Sequence, residues 1–457
     1  MKSFFLLVSI FLSTKIIYAQ KEDSLFIRKI HNEALENGHS YEDLRSLCKD
    51  IGARLTGSAE AEMAVQWGKK IMEKHGFDKV YLQEIRVPHW ERGTTESGWI
   101  ENEKGEIYKL HILALGGSKG TNGTLSGEVI EFMSLDELKK ASESEVKGKI
   151  VFLNQPMDQK LINTFKAYGG CWPIRGNGAI EGGKLGAKAV IIRSLAIPTD
   201  DHPHTGSMKY EEGVDSIPSA AISTSDSDQL HNWLKNGKVN LHFHMDCRFY
   251  GMVKSYNVIG EITGSEKPNE IITIGGHLDS WDVGEGAHDD GAGIVHCLEA
   301  GRIFKALNYQ PKHTIRVVFF MNEENGNFGG KSYAMQAKKN NEIHVAAVES
   351  DRGGFSPRGF DIQNANPKSF KKFIETMKPL YDFELTRFKE GYGGVDIGPL
   401  KEVYPEIPLF GLVPDSQRYF DFHHAETDVF ENVNKRELAL GAAAMASFLY
   451  LLDSYYF

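Results

Sequence analysis

The sequence predicts an α/β protein, with a mixed, mainly parallel sheet between two helical layers and a separate β-rich unit inserted into it. Three observations carry that expectation. From residue 251 onward, short β-branched runs alternate with longer helical stretches, the pattern of a largely parallel sheet covered on both faces. From about 106 to 250 the texture changes to short apolar runs punctuated by Gly and Pro. Ahead of both, residues 22–75 carry apolar positions at helical spacing. With 457 residues the chain is long enough for two or three domains.

In chain order, the first segment is MKSFFLLVSIFLSTKIIYAQ. Lys2, the apolar run Phe4–Leu12 broken only by Ser9, and the small residue Ala19 predict a cleavable secretory signal over 1–19. The run is too short to span a bilayer comfortably and Lys15 interrupts it, and no later stretch reads as long and apolar enough to cross. The expectation is an exported protein, secreted or periplasmic, without stable membrane insertion. Leu25, Ile27 and Ile30, then Met63, Val65, Trp67, Ile71 and Met72, mark helices, with Ser58 as N-cap of the one beginning at Ala59. Residues 80–87 alternate like a strand.

Within the insert, expected over 106–250, strand-like runs are 127–130, 148–153, 189–192 and 239–244, with one helix-like stretch at 180–185. The main unit is then expected over 20–105 and 251–457. Its later strands read as 257–262, 271–274, 314–320, 345–349 and 409–413, and its helices as 294–306, 330–339, 367–377 and 435–451.

Composition narrows the function. A net charge of -10 leaves no basic surface to drive counterion release, which disfavours nucleic acid or an anionic membrane as partner. The four cysteines, Cys48, Cys171, Cys247 and Cys297, form no CxxC pair, so zinc–thiolate ligation is not expected. An oxidising compartment would permit disulfides, and Cys297, in a predicted helix, reads as a buried small hydrophobe.

The chemistry is concentrated at strand ends. In open α/β sheets ligands bind at the carboxyl ends of the strands. Strand 271–274 runs into GGHLDSWDVGEGAHDDGAG, which holds His277, Asp279, Asp289 and Asp290. Strand 314–320 is followed by Glu323-Glu324, strand 345–349 by Asp351, and strand 409–413, after a short loop, by His423-His424. Any one of these alone is an ordinary surface loop; four together follow a rule that surface decoration has no reason to obey. Imidazole and carboxylate suit Zn²⁺ with water in an open position, and two such ions need a carboxylate that bridges. Asp289, among glycines, can be that group. The four positive charges of two Zn²⁺ are cancelled by three carboxylates and one hydroxide, which leaves Glu323 free as a base.

These residues resemble the M28 family of zinc exopeptidases, and within it the carboxypeptidase Q branch. The pattern is His-x-Asp, Gly-Ala-x-Asp-Asp-x-x-Gly, Glu-Glu, Glu-Ser-Asp and His-His, with Arg54-Leu-Thr-Gly-Ser58 early in the chain. Residues 148–153, 186–191 and 203–206 resemble a protease-associated (PA) domain. The resemblance implies the zinc-exopeptidase (phosphorylase/hydrolase-like) α/β/α sandwich, two Zn²⁺ per chain and short peptides as substrates. It implies His277 and Asp351 on one zinc, Glu324 and His424 on the other, and Asp289 bridging. Glu323 would be base and then acid, serving attack by a metal-bridging hydroxide, and Asp279 would hydrogen-bond the ring of His277. It also implies a cis peptide at Asp289–Asp290. His424 is preferred to His423 because Asp428 follows it at the family's spacing, although Val429 stands where a Thr is usual. Tyr392 sits where relatives place a donor to the oxyanion.

His202 and His204 lie in the insert and read as structural or substrate-facing. His288 reads as loop, and Asp282 and Glu285 as solvated or supporting residues. The activity expected is a carboxypeptidase or dipeptidase. An aminopeptidase of the same family, a single-zinc glutaminyl-cyclase-like acyltransferase and a non-catalytic binding ectodomain are the rivals. The insert is expected to cover the cleft or to support a homodimer.

Overall fold

The computed structural model describes residues 22–457; the expected signal at 1–19 lies outside them. The main sheet has eight strands in the order Lys79–Glu91, Arg248–Ile262, His313–Phe320, Lys267–His277, Ile343–Glu349, Leu409–Pro414, Pro357–Gln363 and Arg387–Glu390. Its centre is parallel, from His313–Phe320 through Lys267–His277 and Ile343–Glu349 to Leu409–Pro414. His313–Phe320 is buried at every residue. Ile315, Val317 and Phe319 enter the core on one face, and Val318 and Phe320 the core on the other. Covered on both sides, the strand reads as apolar from Ile315 onward apart from Arg316, whose guanidinium pairs with Glu261 and Glu342.

The helices Ala292–Ala306 and Lys435–Leu451 pack together on the first face, and Phe328–Lys339 lies on the second. By length and composition Lys435–Tyr456 could cross a membrane, contrary to the sequence expectation, but 78% of its apolar window is buried in this core. Its apolarity is that of a central helix. Ser58 caps Ala59–Lys74, accepting from Ala61 N, as its position predicts.

A second eight-stranded sheet occupies residues 96–245, beginning ahead of the expected start at 106. It departs from the main sheet after Lys79–Glu91 and returns through Arg248–Ile262. These two strands pair antiparallel along their length. Against it lies a 21-residue helix, Thr164–Lys184, of which only the last turns (180–185) were legible. Five glycines between 169 and 182 and Pro173 inside the helix lower its propensity and erase the apolar period. The glycines serve tertiary contact instead: a Cβ at Gly178 would stand 2.9 Å from Leu153, and one at Gly182 2.7 Å from Val190. All four cysteines are buried and unpaired.

Candidate metal centre and cleft

The parallel strands end on one side of the sheet, and their following loops converge. Asp289 lies at the centre. Its Oδ1 is 3.2 Å from His277 Nε2 and its Oδ2 is 3.3 Å from His424 Nε2. Asp351 Oδ1 is 3.6 Å from His277 Nε2, and Glu324 Oε2 is 3.1 Å from His424 Nε2. One carboxylate thus faces two histidine–carboxylate pairs, one with each oxygen. Asp289 Oδ2, Glu324 Oε1 and Asp351 Oδ1 are buried and make no hydrogen bond. Buried carboxylate oxygens without donors are costly unless a cation completes them. Burial pulls the imidazole of His424 down, but Glu324 and Asp289 outweigh it and raise its pKa to about 9. These donors suit zinc.

The loops are pinned by hydrogen bonds to the chain itself. The Asp289–Asp290 peptide is cis. Asp290 accepts from His277 N at 3.1 Å and from Gly293 N at 3.0 Å, binding strand end to helix start. A Cβ on Gly276 or on Gly293 would collide with this carboxylate. Asp428, the acidic residue four places after His424, accepts from His288 N (2.7 Å) and Asp289 N (3.1 Å) and so holds the Asp289 loop in place. Arg54, fully buried, donates to the carbonyls of Leu278 (2.5 Å), Glu285 (2.6 Å) and Gly286 (3.0 Å).

Asp279 differs from the expectation. The ring Nδ1 of His277 donates to the backbone carbonyl of Asp279 at 2.9 Å, and the carboxylate Oδ1 stands 3.9 Å away. The carboxylate instead accepts from Asn322 N (2.6 Å), Glu323 N (3.2 Å), Glu324 N (3.4 Å) and the Thr56 hydroxyl (3.0 Å). Three consecutive N–H groups of a turn are a better match for a carboxylate than one ring N–H that a carbonyl already satisfies. Asp279 therefore shapes the Glu323-Glu324 turn.

Glu323 faces a cleft of about 760 Å³ that also exposes Asp289, Glu324 and His424. Burial raises its carboxyl pKa well above the usual range, with the Asp351 and Glu324 charges adding. Tyr392 is on the rim, 51% exposed, with its carbonyl held by Arg352 Nη2 at 2.9 Å. His423 stacks on His424 with ring centroids 3.5 Å apart, but its Nε2 is 3.7 Å from Asp289 Oδ2, and only His424 pairs with Glu324. His288 is packed between Phe355 and Phe422, and burial lowers its pKa to about 4. Asp282 is bound by Arg92 (2.6 and 3.0 Å), and Glu285 by Lys49 at 2.7 Å and Phe430 N at 2.9 Å. His202 pairs with Glu426 at 2.7 Å, and His204 Nδ1 donates to the His423 carbonyl at 2.6 Å.

The opposite wall comes from the insert. Phe165, Tyr168, Trp172 and Arg175 line the cleft from one face of the Thr164–Lys184 helix. Sequence reading did not single them out. The i, i+3, i+7, i+10 spacing of three aromatics and a cation was the available signal.

Two histidines and three carboxylates around a cleft, at the strand ends of an α/β/α sandwich, define a metallohydrolase. Comparison with known proteins gives the family. The sequence model of peptidase family M28 matches residues 257–449. Carboxypeptidase Q of Mus musculus and that of Homo sapiens are each 35% identical over 415 residues, 90% of this chain and 85% of theirs. The crystal structure of a peptidase M28 precursor from Shewanella amazonensis SB2B superimposes with a TM-score of 0.89 at 33% identity, over 95% of this chain and 97% of that one. A zinc aminopeptidase from Bacillus subtilis shares the fold, with a TM-score of 0.63 at 19% identity over 91% and 95% of the two chains. The chain belongs to peptidase family M28. It is a metallo-exopeptidase from the same branch as carboxypeptidase Q.

Proposed function

We propose that the protein is an exported di-zinc exopeptidase that releases the C-terminal residue of dipeptides or short peptides. Arg175 carries the choice of terminus. It is 3% exposed and lines the cleft. It donates from Nη2 to the Tyr168 hydroxyl at 2.5 Å and from Nη1 to the Thr205 carbonyl at 3.3 Å, Nη1 also stands 3.4 Å from His424 Nδ1, and its Nε has no partner. Among the described residues no carboxylate pairs with it. A buried cation without an acid of its own is costly. The free α-carboxylate of a peptide in the cleft supplies the missing charge through a charge-assisted bond. The likeness to carboxypeptidase Q supports the same reading.

In this proposal His277 and Asp351 hold one zinc, Glu324 and His424 the other, and Asp289 serves both. Bound zinc supplies Lewis acidity toward the scissile carbonyl and toward water. Glu323 takes a proton from the attacking water on its carboxylate and returns it to the leaving amine nitrogen. Its turn is fixed by Asp279, so the proton shuttle is positioned before substrate arrives. Tyr392 offers a phenol O–H from the rim to the developing oxyanion. The segment 1–19 is removed on export, which the N-terminal sequence of the mature protein tests.

The test is hydrolysis of a free dipeptide, its N-blocked and C-blocked forms and a longer peptide, followed by mass spectrometry with and without chelator. The expected result is cleavage that needs a free carboxylate and is lost with chelator. Arg175→Met should raise KM for these peptides 10-fold or more, in line with a charged hydrogen bond of about 1.5–3 kcal/mol. Cleavage that needs only a free amine would make the protein an aminopeptidase and leave Arg175 without its assigned role.

A further inference from the structure

The side of the metal centre that holds His424 is built across two units of the chain, and the insert supplies the part that aims the ring. The segment His204-Thr205-Gly206 lies against His423-His424. Thr205 N donates to the His424 carbonyl at 3.0 Å, and His424 Nδ1 donates to the Thr205 carbonyl at 3.2 Å. His204 Nδ1 donates to the carbonyl of His423 at 2.6 Å. The strap is tied back into the insert: Gly116 N donates to the Gly206 carbonyl at 3.0 Å, and the Thr205 hydroxyl to the Ala114 carbonyl at 2.8 Å. His424 itself has φ of 63°, a left-handed conformation that a non-glycine residue keeps when its surroundings hold it.

Two groups face Nδ1, the Thr205 carbonyl at 3.2 Å, which can accept its proton, and Arg175 Nη1 at 3.4 Å, which can only donate. A metal held through Nε2 would leave the proton on Nδ1, and the Thr205 carbonyl would then hold that tautomer. With its proton on Nδ1, the ring turns the Nε2 lone pair toward Asp289 and Glu324. On the other side of Asp289 the same role falls to the carbonyl of Asp279, two residues from His277 and within the main unit. The two sides therefore depend on different parts of the chain. Gly206 marks how closely the strap approaches. Its φ is +134°, and a Cβ there would stand 2.7 Å from His424 Nδ1 and would collide with the Arg175 guanidinium.

We propose that residues 204–206 of the insert are positioning residues for the second metal: they set the rotation and tautomer of His424, so that metal affinity on the His424–Glu324 side depends on the insert being seated, whereas the His277–Asp351 side does not. This rests on the two-zinc reading above. It also gives the insert a role beyond walling the cleft.

The test is stepwise Zn²⁺ binding to the full mature chain, by native mass spectrometry and competition with a chromophoric chelator. His277→Ala and His424→Ala, each left with one intact side, identify which equivalent is which. With the equivalent that His424→Ala retains called the first and the one it loses the second, Gly206→Ala is expected to bind the first as the native chain does and the second 10- to 100-fold more weakly, the usual cost of disturbing an outer hydrogen bond to a metal ligand. His204→Ala, which removes one bond without adding bulk, should weaken the same equivalent by a smaller factor. Retention of the first equivalent at native affinity reports that either variant is folded. If Gly206→Ala fails to fold, His204→Ala decides alone. Unchanged second-equivalent affinity, or equal weakening of both, overturns the assignment. A native chain that binds one equivalent overturns both it and the two-zinc reading.

Discussion

Replacing Asp279 by Asn separates two ways in which that residue could serve the site. The substitution keeps size and one carbonyl oxygen. If Oδ1 still accepts from Asn322 N and Glu323 N, the new amide NH₂ takes the place of Oδ2, which accepts from Thr56 and Glu324 N. The Thr56 hydroxyl can reverse and accept; the Glu324 N–H cannot, and meets another donor. One charge-assisted bond is lost and one buried donor is left unsatisfied, together about 2–3 kcal/mol. Expressed in the placement of Glu323, that is roughly a 30- to 150-fold loss in kcat. The ring of His277 keeps its carbonyl partner. Zinc affinity on the His277 side should therefore stay within about threefold of native, well short of the 10- to 100-fold that loss of a ring partner costs. Steady-state kinetics and chelator competition, run on the same preparation, read both quantities. Weakening concentrated on the His277 side would refute the reasoning and return Asp279 to the role of ring partner.

Glu323→Gln should abolish most turnover, by about 10²–10⁴-fold, while zinc content is unchanged; retained activity would remove Glu323 as the base. A pH effect on stability is expected far from the cleft, at His31, whose pKa burial lowers to about 4 while its Nδ1 holds the Ile27 carbonyl. The unfolded chain takes this proton first, so the contribution is fully present above about pH 6.5 and is lost as pH falls toward 4, on the order of 3 kcal/mol in all. Urea unfolding of His31→Gln should show a flatter decline between pH 7 and 4.5 than the native chain, and equal slopes would count against it.

The parts of the fold that were legible share a cause. Strands 257–262, 271–274, 314–320, 345–349 and 409–413 lie inside the sheet and are almost wholly buried, so burial writes itself into sequence as short runs that are mostly apolar on both faces. The last two strands of the sheet, Pro357–Gln363 and the edge strand Arg387–Glu390, are not legible because they mix charge with apolar residues, and the first carries Gly359. The Thr164–Lys184 helix was hidden by the glycines that let it approach its sheet. The candidate ligands could be picked out because each follows a strand. Arg175 could not, because the reading rests on its lacking a carboxylate partner among the described residues, and only three-dimensional neighbours reveal that. The sequence pairs Asp279 with the correct residue, His277, but does not tell its backbone carbonyl from its carboxylate as the partner.

The strand pair that carries the insert has a consequence for how the chain assembles. Glu91 stands opposite Arg248 at the end of the Lys79–Glu91 and Arg248–Ile262 ribbon, so the insert leaves and rejoins the main unit at neighbouring points. To the main unit the insert is a single closed loop. The entropy of closing such a loop grows only as the logarithm of its length, about 0.6 kcal/mol for each doubling. Against a two-residue hairpin the 156 residues between Glu91 and Arg248 add roughly 4 kcal/mol to closing the ribbon, a cost set by length alone. Once the ribbon has closed, the insert is held by these two strands, by the 204–206 strap and by apolar contact in which Phe355, Tyr419 and Phe420 of the main unit join its core. Arg175, Tyr168 and Thr205 all belong to the insert, so under the proposed roles a change in how it is seated would alter substrate recognition and the aim of His424 together.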